Sequence, residues 1–76
     1  MITIEQAKQL EYGGKLYHTI NRTAKGFCQC WKVNGKVKTW KRNPNKVRIP
    51  VKYGLHLFDY VTENELSLVS LFDCAS

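Results

Sequence analysis

The sequence lacks any long hydrophobic run. Its apolar stretches extend over only a few residues, far fewer than the roughly 20 residues that a membrane-spanning helix needs. The first ten residues include Glu5 and Lys8 and contain no continuous apolar segment, so they do not fit a secretory signal peptide. We therefore expect no membrane association and predict a cytoplasmic protein.

Cysteine is also scarce, with three residues at Cys28, Cys30 and Cys74. An odd number does not suit a closed disulfide framework, and the two-residue spacing of Cys28 and Cys30 is strained for a bridge between them. Reduced thiols are consequently expected, in keeping with a cytoplasmic setting.

A zinc site is disfavoured although His18 and His56 could join the three cysteines as ligands. Zinc accepts mixed Cys and His sets, but the spacing of Cys28 and Cys30 is not that of a zinc knuckle, and no second close pair is present. Small, half-buried thiols are the preferred interpretation. We predict no bound metal and no cofactor.

Carboxylates are absent from the middle of the chain, between Glu11 and Asp59. Without paired carboxylates in that region, a glycosidase or a metal-dependent nuclease is disfavoured. Gly13 and Gly14 lack the further glycine and lysine of a phosphate-binding P-loop, and nothing specific supports a Cys/His nucleophilic pair. The sequence thus predicts a protein that is not an enzyme.

Positive charge is concentrated where negative charge is missing. Eleven of the twelve Lys and Arg residues lie between Lys15 and Lys52, four acids and no Lys or Arg follow Lys52, and the formal net charge is +6. Such an asymmetry attracts polyanions. The alternative interpretation is a solubilising basic face, or a charge that pairs with the acidic C-terminal segment.

The residue pattern predicts a single, mainly β domain over residues 1–76 with a short N-terminal helix. Thr3 and Gln6 form a capping box at the helix start, and Thr62 with Glu65 forms a second one before a last short strand. Turn residues recur every eight to twelve positions, which indicates five to six strands in a strongly bent sheet or a barrel that resembles Src-homology-3 domains. The predicted strands cover residues 15–20, 27–33, 36–42, 47–51 and 55–61, with the last strand after residue 65.

Pro50 favours a sheet edge or a strand end for residues 47–51, and that edge could pair with a second copy.

The strongest local signal is Asn34-Gly35, which predicts a hairpin over residues 27–42 because both residues tolerate positive φ. A two-residue turn would place Trp31 on the basic face. A three-residue loop with a glycine bulge would turn Trp31 and Val37 toward the core and Lys32, Lys36 and Lys38 toward water. A shift of one residue in the pairing register exchanges the two faces of the strand. We favour the bulged loop.

Lysine and arginine alternate with an aromatic residue on the second strand of this hairpin. Lys36, Lys38, Trp40 and Arg42 share one strand face, where cations neutralise phosphates and the ring offers a stacking surface to a base. In the alternative, Trp40 is a core anchor and the lysines reach around it to solvent. The predicted nucleic-acid-binding residues are Lys32, Lys36, Lys38, Trp40, Lys41, Arg42, Arg48 and Lys52.

Several segments resemble small uncharacterised basic proteins encoded by bacteriophages, prophages and related mobile elements. The segments are Trp-Lys-Val-Asn-Gly-Lys-Val-Lys-Thr-Trp-Lys-Arg-Asn-Pro at 31–44, Val-Arg-Ile-Pro-Val-Lys at 47–52, Gly-Leu at 54–55 and Tyr-Val-Thr-Glu at 60–63. The resemblance covers most of the chain from Leu10 onward and implies a bacterial cytoplasmic setting. It transfers no catalytic or binding residue.

Two functions are therefore expected from the sequence. The first is a phage or mobile-element accessory protein, a monomer or a weak homodimer, that binds DNA or RNA through its basic hairpin. The alternative is a phage protein that binds and modulates an acidic host protein, with exposed aromatic residues as hot spots.

Overall fold

The chain folds as a short helix followed by antiparallel strands. The structure is a computed structural model and describes residues 1–73. Its elements are helix α1 (Ile4–Lys8), strands β1 (Lys15–Arg22), β2 (Cys28–Val33), β3 (Lys38–Thr39), β4 (Val47–Tyr53) and β5 (Leu57–Thr62), a 3-10 helix (Glu63–Leu68) and strand β6 (Val69–Ser70). The predicted mainly β class with a short N-terminal helix is confirmed.

Within residues 1–73 the six strands form one sheet that does not close into a barrel. Strand β5 pairs with one edge of β4, and both β2 and β3 pair with its other edge. Strand β1 pairs with the far side of β2, and β6 pairs with the far side of β1. The pairing of β1 with β2 is irregular between His18 and Arg22, and irregularities of this kind bend a strand. Of the two predicted architectures, the structure has the open sheet.

The first capping box is confirmed and the second is wrong. The Gln6 amide N–H donates to the Thr3 side chain at 3.1 Å, and the Thr3 amide N–H donates to Gln6 Oε1 at 2.9 Å. Thr62 makes no such capping hydrogen bond. Instead, Glu63 Oε1 accepts from the amide N–H of Val47 at 3.0 Å, which ties the start of the 3-10 helix to β4.

The hairpin predicted at Asn34-Gly35 is wrong, because the chain does not reverse there. Strands β2 and β3 both pair antiparallel with the same edge of β4, so they run in one direction. Gly35 does not adopt positive φ, although a type I′ turn needs positive φ at both central residues and the bulged three-residue loop needs it at the glycine. The amide N–H of Asn34 donates to the carbonyl of Pro50 at 2.8 Å, so tertiary pairing overrides the local turn preference.

A bulge separates β2 from β3. Val33 lies opposite Val51, and Lys38 lies opposite Arg48, so five steps along β2 and β3 match three steps along β4. Two extra residues are accommodated between the strands, which lets the chain leave the sheet and return to it. The predicted strand 36–42 is thereby reduced to Lys38–Thr39.

Strand β4 lies inside the sheet, and its prediction as an edge strand is wrong. It pairs with β5 on one side and with β2 and β3 on the other. Pro50 is tolerated because the N and O atoms of a strand residue point to the same side, and its carbonyl accepts from Asn34. The missing N–H therefore falls at the bulge between β2 and β3, where no ladder partner is required.

The hydrophobic core lies on one face of the sheet, which we call the inner face. Val47, Ile49 and Val51 of β4 are at most 2% exposed, and α1 and the 3-10 helix cover them with Ala7 and Leu66. Trp31 packs against this core and Val37 is buried. Their predicted orientation toward the core is therefore confirmed, although no hairpin produces it.

The cysteines differ in state. Cys30 is a free, half-buried thiol, whereas Cys28 is disulfide-bonded, so the expectation of reduced thiols is wrong for Cys28. Cys74 lies outside the described residues. Disulfides are more typical of oxidising compartments, so the cytoplasmic prediction loses the support that it took from reduced thiols. In the described part of the chain, no helix has the length and apolarity required to cross a membrane.

Candidate nucleic-acid interface

The face of the sheet opposite the core, which we call the outer face, collects most of the predicted binding residues. Along β4 the side chains alternate, so Arg48, Pro50 and Lys52 point away from the buried Val47, Ile49 and Val51. Directly opposed residues of antiparallel neighbours point to the same face. The register around β4 therefore defines the composition of the whole outer face.

Three lysines form a row across three adjacent strands, which we call the basic row. Lys15 of β1 lies opposite Lys32 of β2, and Lys32 lies opposite Lys52 of β4. Directly opposed residues have Cβ atoms about 5 Å apart. The three side chains also line one surface depression together with Tyr12, so their positive charges lie on one continuous surface.

The basic row is not neutralised by the protein. Within residues 1–73 its lysines form no ion pair with a carboxylate. Like charges directly opposite one another destabilise a sheet. The fold therefore bears an electrostatic cost on this face, and a bound anion would remove that cost.

A second group of cations surrounds Trp40, and we call this group the Trp40 cluster. Lys46 Nζ lies 4.6 Å from the ring centroid, Lys38 Nζ lies 5.2 Å away, and Arg48 Cζ lies 5.8 Å away. These distances are typical of cation–π contacts. Lys38 and Arg48 are directly opposed on β3 and β4, which places the cluster on the outer face.

Trp40 is half-buried, and among the described residues it is not part of the hydrophobic core. The interpretation of this residue as a core anchor is therefore wrong. The ring instead contacts three positive side chains, which lie close together around it. Much of its surface is consequently not available for stacking on a base.

Two exposed aromatic side chains extend the outer face at its β5 edge. Phe58 lies opposite Lys52, and Tyr60 lies opposite Pro50, so both rings point to the outer face. Phe58 is 64% exposed and Tyr60 is 53% exposed. Arg48 Cζ lies 5.3 Å from the Tyr60 ring centroid, which connects this aromatic pair to the Trp40 cluster.

The acid between the two rings points away from them. Asp59 lies opposite the buried Val51, so its side chain projects to the inner side of β5. Asp59 Oδ1 accepts from the amide N–H of Tyr60 at 2.7 Å. The aromatic pair is therefore flanked by Lys52 and Arg48 on the outer face, and no carboxylate separates it from them.

Strands β1 and β6 bound the outer face on the opposite side. Tyr17 lies opposite Cys30 on β2 and Ser70 on β6. Partial burial raises the pKa of the Tyr17 hydroxyl, and Cys30 and the Asp73 carboxylate raise it further. Tyr17 therefore stays neutral and adds no negative charge beside the basic row.

The structure unites only part of the predicted set of binding residues. Lys32, Lys38, Arg48 and Lys52 lie on the outer face by register, and Trp40 joins them through its contacts. Lys36, Lys41 and Arg42 are exposed in the connections on either side of β3, where no strand register sets the direction of their side chains.

Sequence reasoning missed three residues of this surface: Lys15, Phe58 and Tyr60. Lys46 belongs to the predicted positive stretch but was not in the predicted binding set. The alternation of residues 57–62 contains a signal for the two rings, because positions two apart on a strand share a face. Lys15 carries no comparable signal. Its place beside Lys32 depends on the pairing of β1 with β2, which the local sequence does not specify.

Comparison of the chain with protein-family models, with curated proteins and with solved structures finds no match. The interface is therefore defined by its geometry alone. In the described range no group of three or more His, Cys, Asp or Glu side chains is placed to hold a metal ion.

Proposed function

We propose that this protein binds nucleic acid through its outer face. The basic row and the Trp40 cluster contact phosphates, and the sheet supplies a rigid platform beneath them. The observation that supports this proposal is the basic row itself, in which Lys15, Lys32 and Lys52 are directly opposed and no carboxylate of the described residues pairs with them.

Polyanion binding accounts for an arrangement that is unfavourable for the fold alone. Opposed lysines repel each other, whereas phosphates that approach the row release their condensed counterions and gain free energy. The three lysines lie on the outer face, so they contribute nothing to packing of the hydrophobic core. A ligand with regularly spaced negative charges relieves this repulsion when it binds, and the relief contributes to its affinity.

The biological setting is also a proposal. The resemblance to basic proteins of phages and mobile elements favours an accessory role in a bacterial cell. Such a protein would meet both nucleic acid and host proteins, which is why an acidic host protein remains the alternative ligand for the same positive surface.

The proposal is tested by comparing two double variants that remove the same charge. Lys32→Gln with Lys52→Gln neutralises the outer face. Lys8→Gln with Lys25→Gln removes two exposed lysines from α1 and from the β1–β2 connection. Binding to a labelled oligonucleotide is measured over a salt series for both variants and for the unmodified chain.

We expect the outer-face variant to lose at least tenfold in affinity and to lower the salt slope by about 1.4, because each lost phosphate contact contributes about 0.7 in single strands. The control variant should keep the slope. An equal loss of affinity in both variants would show that only the net charge matters and not the position of the lysines. Retained affinity in the outer-face variant, or stoichiometric capture of one acidic protein without nucleic-acid binding, would overturn the proposal.

A further inference from the structure

The aromatic pair at the β5 edge specifies the form of the ligand. We infer that the outer face binds single-stranded nucleic acid and that two successive bases stack on Phe58 and Tyr60. This inference depends on the proposed function, since the basic row and the Trp40 cluster supply the phosphate contacts. It adds a base-binding site in residues that carry no charge.

The spacing of the two rings suits an unstacked strand. Phe58 and Tyr60 are two positions apart on β5 and point to the same face, so their Cα atoms are about 6.7 Å apart. Neighbouring bases in one strand of B-DNA are stacked and rise by only about 3.4 Å along the helix axis. Two neighbouring nucleotides therefore reach both rings only when the strand is extended, which a duplex does not permit.

The positions of the cations agree with this arrangement. Lys52 is the direct neighbour of Phe58, and the Arg48 guanidinium lies beside the Tyr60 ring. Both cations belong to β4, one strand spacing of about 4.8 Å inward from the rings. Bases on β5 and phosphates above β4 are consequently in register, with one cation for each stacked base.

A duplex fits the same surface poorly. Strands β1, β2, β4 and β5 lie side by side and span about 14 Å between their axes, which exceeds the major-groove width of about 12 Å. The face therefore cannot enter the groove, and it would contact only the phosphates of a duplex. Phe58 and Tyr60 would find no base face there, because the bases of a duplex stack on one another.

Replacing the rings separates stacking from simple apolar contact. Phe58→Leu with Tyr60→Leu keeps apolar side chains and removes both rings, whereas Tyr60→Phe keeps the ring and removes only the hydroxyl. Phe27→Ala is the control, since Phe27 is an exposed ring in the β1–β2 connection. Affinity is measured for single-stranded DNA, single-stranded RNA and a duplex of the same sequence.

We expect the double leucine variant to lose affinity for single strands by roughly 5- to 160-fold per ring, and to keep its affinity for the duplex. Tyr60→Phe and Phe27→Ala should bind as the unmodified chain does. A loss of affinity for either single-stranded DNA or single-stranded RNA supports the inference. Whichever of the two the unmodified chain binds more tightly is the preferred class of ligand.

An unchanged affinity of the double leucine variant for single strands, or an equal loss for the duplex, would overturn the inference. The proposed function has a separate test: it would be overturned if the double variant Lys32→Gln with Lys52→Gln still bound nucleic acid as the unmodified chain does. Circular dichroism of each variant establishes that the sheet has formed, and the exposure of both rings leads us to expect that it has.

Discussion

The two faces of β4 carry different side chains, one apolar and buried, the other largely basic and part of the proposed binding surface. On the inner face Val47, Ile49 and Val51 are almost completely buried. On the outer face the alternate residues include Arg48 and Lys52, which join cations from the neighbouring strands. In the described range no polar or charged side chain is buried, so the two chemistries are fully separated.

This separation implies that the two faces respond in opposite ways to substitution. Removing apolar area from the inner face costs stability, because that burial is the main favourable contribution to folding. Removing a lysine of the basic row relieves repulsion instead, and under the proposed function it also weakens ligand binding. Functional surfaces commonly carry such a cost in stability.

Replacing Ile49 with Ala should strongly destabilise the protein. The side chain is 0% exposed, and truncation of a buried Ile to Ala costs about 2–5 kcal/mol. That is a large share of the roughly 4–11 kcal/mol expected for a domain of this length. Chemical denaturation of the variant gives the loss directly.

Arg48→Ala is the matched substitution, one residue away on the other face. Surface changes usually alter stability by less than about 1 kcal/mol, and the cation–π contacts of Arg48 with Trp40 and Tyr60 make its loss only slightly larger. Similar losses for Ile49→Ala and Arg48→Ala would contradict the distinction between the faces.

Replacing Gly54 with Ala should have an intermediate effect. Gly54 has a φ of 67° in the connection between β4 and β5, and a left-handed conformation costs a residue with a Cβ about 1–2 kcal/mol. A Cβ at this position would contact no neighbouring atom, so the loss would be conformational strain alone. Thermal unfolding measures it.

Gly54→Asn is the control for this prediction, since Asn tolerates the left-handed region better than Ala does. We expect a smaller loss of stability for Asn than for Ala. An equal loss in both variants would show that the turn does not require positive φ at this position. Because this turn sets the register of β5, it also sets the positions of Phe58 and Tyr60.

The sequence predicts the alternation within strands well, and it predicts the pairing between strands poorly. Trp31 and Val37 were expected toward the core and Lys32 and Lys38 toward water, and the structure agrees. Alternation depends only on the local period of two residues. It therefore survives even where the assumed partner strand is wrong.

The predicted strand pairing is wrong because tertiary contacts outweigh local conformational preferences. Asn34-Gly35 is a strong hairpin signal, but pairing of β2 and β3 with β4 keeps the chain running forward. Pro50 indicated an edge, but the bulge opposite it makes a central position compatible with its missing N–H. The basic row depends on this pairing, which is why Lys15 could not be assigned to the site from sequence.

The smallest expected effect is also the one that separates the two faces most clearly. Lys52 is the last lysine of the basic row and lies directly opposite Lys32. We expect Lys52→Gln to stabilise the protein by about a few tenths of a kcal/mol at low salt, because the substitution removes one repulsive cross-strand pair. Denaturant unfolding at low ionic strength measures the gain.

Lys25→Gln removes the same charge from the exposed β1–β2 connection and should leave stability unchanged. The difference between the two variants therefore isolates the position of the charge from the net charge. It should shrink at high salt, since the Debye length falls to about 3 Å at 1 M and exposed charges are then screened. A loss of stability in Lys52→Gln would mean that the lysine stabilises the sheet, and the basic row would then carry no cost that a ligand has to offset.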